Sequence, residues 1–99
     1  MRNKTIKGED MNYRLQGYDL IETCSACPEQ YDVLLDSEVV GYLRLRHGHF
    51  SASCGYNLET TVYESNTKGD GIFEDDERMF HLNQAVEAID KHNLRVYVN

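Results

Sequence analysis

The sequence has no tryptophan, a single proline (Pro28) and few positive charges: ten Lys and Arg stand against seventeen Asp and Glu, a formal charge of −7 over 99 residues. That balance repels nucleic-acid backbones and anionic membranes, and points to basic or neutral partners. No segment approaches the roughly twenty apolar residues that span a bilayer, and the opening MRNKTIKGEDMNYR lacks the apolar stretch of a signal peptide. A cytoplasmic protein is expected. Three cysteines are an odd number for a disulfide framework, so free thiols or metal ligands are expected instead. Also missing are the G-x-x-x-x-G-K-[ST] phosphate loop, the G-x-S-x-G nucleophile elbow and the H-E-x-x-H zinc helix. What is present is tyrosine, seven in all, which with the scarcity of proline fits a Tyr-lined sheet better than a disordered tail. A chain of this length supports one domain, residues 1 to 99, with one modest core, and argues against a deep enclosed active site.

Residues 1 to 10 offer no periodic face and read as a loose lead-in. Met11, Tyr13 and Leu15 alternate with polar residues, Gly17 interrupts, and Tyr18 and Leu20 resume on the shifted phase, which predicts one bulged strand to about Thr23. CSACPEQ breaks the pattern before Tyr31, Val33 and Leu35 restore it. A polar turn at Asp36 to Glu38 leads into VVGYLRLR, with Val39, Leu43 and Leu45 on one face and Tyr42, Arg44 and Arg46 on the other. His47-Gly48 predicts a tight hairpin returning through HFSASC, a long bulged strand being the alternative. ETTVYE follows as a further strand and SNTKGDG as a loop. EDDERMFHLNQAVEAIDKHN is the helix, because Met79, Leu82, Val86 and Ile89 recur at helical spacing with Ala85 on the same face. Asp75 or Asp76 caps its start, Lys91 and His92 suit its negative end, and Asn93 is a candidate stop. LRVYV alternates as a last strand would, or as a strand pairing with a second copy in a homodimer. The expected fold is therefore α+β: an antiparallel β-meander of about four to five strands with one C-terminal amphipathic helix packed on one face.

Three constellations are candidates for chemistry. Cys24-x-x-Cys27, His47-x-His49 and Cys54 together hold enough ligands for one Zn²⁺, since a two-residue gap lets two thiolates bind from one knuckle. Against this, cysteines pack as small hydrophobes, and histidines beside a hairpin turn lie in solvent. A redox role is disfavoured, because the pair leads into a strand and not into the helix N-terminus that lowers a thiol pKa. Arg44 and Arg46, with His47 and His49, form an anion-binding stripe, or a solvated sheet face paired to neighbouring acids. Asp70, Glu74, Asp75, Asp76 and Glu77 put five carboxylates within eight residues, beside an Ile72-Phe73 pair predicted to lie at the surface. The calcium register D-x-D-x-D-G is missing there. Docking on a basic protein surface suits such a cluster, and an acidic helix start with a Phe staple is the plain structural alternative. A dyad of His47 or His49 with Glu59 is the remaining enzymatic reading, and a non-enzymatic module is expected.

SEVVGYLRLR locally resembles the central strands of GNAT acetyltransferases, but without that family's glycine-rich pyrophosphate motif it implies no acyl-CoA chemistry. CPEQYDVLL, VVGYLRLRHGHF and GDGIFEDDER together resemble small, poorly characterised proteins carried by phages and mobile elements, over residues 22 to 92. The resemblance implies a host cell in which a small acidic protein binds and blocks a host component, defence systems such as CRISPR included. It transfers no residue role. The leading expectation is thus a phage-associated module binding a host protein with a basic surface through residues 70 to 77. The alternative is a small zinc-stabilised domain binding an anionic ligand or nucleotide through Arg44, Arg46, His47 and His49.

Overall fold

Six strands form among the described residues: β1 (Asn12–Leu15), β2 (Tyr18–Glu22), β3 (Gln30–Leu35), β4 (Glu38–Arg46), β5 (His49–Cys54) and β6 (Thr60–Asn66), followed by one helix, α1 (Asp75–Val98). The structure is a computed structural model that describes residues 12–23 and 28–98, with side chains as far as Asn93. The lead-in expected over residues 1 to 10 lies outside the described residues. Each strand pairs antiparallel with the next, so spatial order follows chain order, in an α+β fold with an open sheet and the C-terminal helix against one face.

Three reversals are two-residue turns in which both residues take positive φ: Gln16 (54°) and Gly17 (88°), Asp36 (51°) and Ser37 (73°), His47 (54°) and Gly48 (74°). Positive φ at both positions gives the turn a twist that matches the right-handed twist of the strands. The first of these corrects the bulged strand expected from Met11 to Thr23. The phase change at Gly17 is a complete reversal, with Leu15 paired to Tyr18, and it raises the strand count from the expected four or five to six.

One sheet face carries Tyr18, Leu20, Tyr31, Val33, Leu43, Leu45, Phe50, Ala52 and Cys54, all buried under Phe73 and the helix residues Leu82, Ala85, Val86 and Ile89. Gly41 lets α1 approach, because a Cβ there would stand 2.6 Å from Ile89 Cδ1. Met79, expected in this face, is 40% exposed. Burial of His81 and Ala85 rotates the inward arc of the helix away from it.

The LRVYV segment does not form a strand: α1 continues through it to Val98. Five residues are too few to separate a period of 2 from one of 3.6, and no Gly or Pro after Asn93 interrupts the ladder. As helix, this segment presents no strand edge of the kind expected to pair with a second copy. No helix among the described residues is long and apolar enough to cross a membrane.

Candidate partner-binding site

The acidic segment between β6 and α1 is a fixed loop, held from three sides by hydrogen bonds. Thr67 N–H donates to the Gly48 carbonyl (2.9 Å) and Gly48 N–H to that of Asp70 (2.6 Å), which stitches the loop to the β4–β5 turn. Glu29 N–H donates to the Gly71 carbonyl at 2.8 Å, tying the loop to the start of β3. Gly69 is required here, since a Cβ would run into the Ile72 carbonyl.

Two buried carboxylates finish the work from the side-chain side. Glu77 accepts the backbone N–H of Lys68, Gly69 and Glu74, each at 2.9 Å. The last of these is half of a capping box, the third helical residue reaching back to the capping residue. Burial alone would raise the Glu77 pKa, but the three backbone donors and nearby His81 outweigh it and hold the carboxyl at about 2. Glu29, 2% exposed, accepts Phe73 N–H at 3.0 Å and Arg78 through Nε at 2.7 Å and an η-nitrogen at 3.1 Å, together with the Tyr31 hydroxyl. Arg78 is pushed up in pKa chiefly by that bond to Glu29. Burial first, and then the bond to Glu29, raise that of Tyr31. Sequence patterning places Tyr31 in a strand but assigns no role in this site to it, to Glu29 or to Arg78. The available signal was one arginine in an otherwise acidic helix start and a lone glutamate before an alternating run.

This framework sorts the expected interface residues. Phe73 is buried, 3% exposed, edge-on to Phe50 and stacked on His81 at 5.4 Å, which corrects its expected place at the surface. Its amide is already committed to Glu29, so its ring turns inward. Glu77 is buried too and serves the loop itself. Asp75 pairs with Arg78 at 2.9 Å and Asp76 with Lys68 at 2.7 Å, although both carboxylates remain exposed. Asp70 and Glu74 are exposed and have no ion-pair partner among the described residues. Ile72 stands 62% exposed in the fixed loop, above an open depression of about 490 Å³ bordered by Pro28, Lys68, Asp70 and Glu74. Phe80, 60% exposed, and Met79 add apolar surface on the second turn of α1. Phe80 falls outside the buried helical spacing, which is how sequence could have placed it outward.

Among the described residues, the expected zinc ligands Cys54, His47 and His49 do not converge. Cys24 and Cys27 lie outside the described residues. Cys54 is a buried free thiol facing the helix, with its pKa raised by burial, while exposed His49 lies five residues away on the opposite sheet face and bonds Glu64 at 2.9 Å. Five strand steps put these two about 17 Å apart, far beyond a shared metal ion, and His47 sits in the turn beyond His49. No group of three or more His, Cys, Asp or Glu among the described residues is placed to hold a metal ion. Arg44 and Arg46 lie on the sheet face that α1 leaves uncovered. Compared with protein-family models, with curated proteins and with solved structures, the chain finds no match in any of the three.

Proposed function

We propose that this chain is a non-enzymatic binding module that docks the N-terminal end of α1 and the preceding loop onto a basic protein surface. The observation that carries the reading is Ile72, 62% exposed in a loop whose backbone is fixed by Glu29 and Glu77 and flanked by Asp70 and Glu74, which have no ion-pair partner among the described residues. A loop already held in place loses little conformational freedom on binding. An apolar anchor inside a charged rim supplies both slow dissociation and steered association. Phe80 and Met79 add exposed apolar surface on α1, and Phe73, packed on Phe50 and His81, ties the loop to the core. The buried carboxylates are saturated with donors and maintain the platform. The phage-type resemblance favours a cytoplasmic host protein as the partner, with defence components such as CRISPR effectors as one class.

The test is a pull-down from bacterial host lysate with the wild type, Ile72→Ser/Phe80→Ser and Asp70→Lys/Glu74→Lys. A basic protein retained by the wild type and lost from both variants is the expected result. Capture that is unchanged in both variants but abolished by Arg44→Glu would overturn it.

A further inference from the structure

We propose a second, separate site on the sheet face opposite α1, where Arg44 and Arg46 bind the phosphoryl group of a small ligand. The inference starts from how the chain distributes its cations. With a formal charge of −7, acids are in excess, and Arg14, Lys68, Arg78 and Lys91 each hold one: Asp19, Asp76, Glu29 with Asp75, and Glu87. Arg44 and Arg46 have no such partner among the described residues. They are the two that stand together, at alternate positions of β4 and therefore on one face, about 7 Å apart along the strand. Glu64, two strands away on the same face, is occupied by His49.

The Nε of Arg44 is shielded from solvent and makes no hydrogen bond among the described residues. Buried guanidinium donors are normally satisfied, so this one is a donor open to an added acceptor. Neighbouring groups suit the same acceptor. Ser51 stands opposite Arg44 on β5. On β3, Gln30 stands on its other side, its carbonyl oxygen taken by the Tyr42 hydroxyl, which leaves its NH₂ as a donor.

Ligand class follows from stoichiometry of charge and oxygen. A carboxylate carries one charge, which one guanidinium matches, whereas a phosphoryl group has three oxygens and carries up to two charges, enough for both arginines. A long polyanion would meet the repulsion of the whole chain; a compact one meets chiefly the local pair.

The experiment is a ¹H–¹⁵N NMR titration of the full chain at pH 7.5 and constant ionic strength, with inorganic phosphate, adenosine 5′-monophosphate and acetate as probes. Saturable shifts confined to β4 and β5 around Arg44, Arg46 and Ser51 are expected with both phosphoryl probes and not with acetate. Tighter binding of the nucleotide identifies an ester ligand; equal binding identifies free phosphate. Arg44→Gln should weaken binding roughly tenfold, the scale of one lost charge-assisted contact, and Arg44→Lys should recover part of it, while Arg14→Gln changes nothing. Equal response to acetate, or unchanged binding in folded Arg44→Gln/Arg46→Gln, would overturn the site. Arginine-dependent binding of a short DNA duplex tighter than either phosphoryl probe would overturn the small-ligand assignment.

Discussion

Replacing Glu77 by Gln tests whether one carboxylate organises the loop that presents Ile72. In the wild type, Oε1 takes the Lys68 N–H, and Oε2 takes those of Gly69 and Glu74. An amide with its oxygen at the Oε2 position keeps two bonds, but turns its NH₂ group against the Lys68 N–H and loses the charge. A carboxyl held at about 2 instead of 4.5 is linked to at most ~3.4 kcal/mol of folding stability. The loop around this carboxylate is open to solvent, which screens part of the interaction, so ~1–2 kcal/mol is expected. Because the folded pKa lies below the unfolded one, this stability is fully present above about pH 4.5 and lost as pH falls from there toward 2. Urea unfolding of wild type and Glu77→Gln between pH 7 and pH 2.5 should therefore show a difference that is largest at neutral pH and shrinks below pH 4.5. A difference that stays constant across that range, or stays below ~0.5 kcal/mol at pH 7 as at an ordinary surface site, would refute the role given to Glu77.

Gly41→Ala should destabilise by about 1–3 kcal/mol through overpacking, and Ile89→Val, which removes the clashing Cδ1 2.6 Å away, should recover part of that loss in denaturant melts. Arg78→Met leaves the buried Glu29 carboxylate without its counter-charge and should cost about 3–5 kcal/mol, far more than breaking the exposed Lys68–Asp76 pair; similar losses from both would contradict the clamp. Ile72→Ser and Phe80→Ser should each change stability by less than about 0.5 kcal/mol while speeding dissociation of any captured partner, measured by surface plasmon resonance. Cys54→Ser should leave any zinc stoichiometry as in the wild type by elemental analysis, since its thiol faces the core; loss of bound zinc would place Cys54 among the ligands.

Alternation and helical spacing suffice to identify β3, β4, the His47-Gly48 hairpin and the core helix residues Leu82, Ala85, Val86 and Ile89. The same patterns mislead where two geometries produce one signal. A phase shift at glycine is shared by a bulge and a turn, which is why β1 and β2 read as one strand. LRVYV alternates, yet it continues a helix already nucleated. At the candidate site, the cluster of acids is plain in the sequence, but its division of labour is not. Whether Glu77 serves the loop or a partner depends on three backbone N–H groups from residues 68, 69 and 74, and Phe73 turns inward because Glu29, 44 residues earlier, holds its amide. Contacts that distant leave no local period to read.

The strictly sequential order of β1 to β6 also sets how the protein assembles itself. Every strand pair closes a short stretch of chain, three of them through two-residue turns, so sheet formation pays little loop-closure entropy and should proceed hairpin by hairpin on a fast timescale. The bonds from Glu29 to Phe73 and Arg78 span 44 and 49 residues, and cannot form until the sheet and the helix start have both been placed. Closure of the Glu29 latch is then expected as a late step of folding, and the loop it secures is expected to open before the central strands. Hydrogen exchange at the Phe73 amide should therefore outrun that of the central β4 amides.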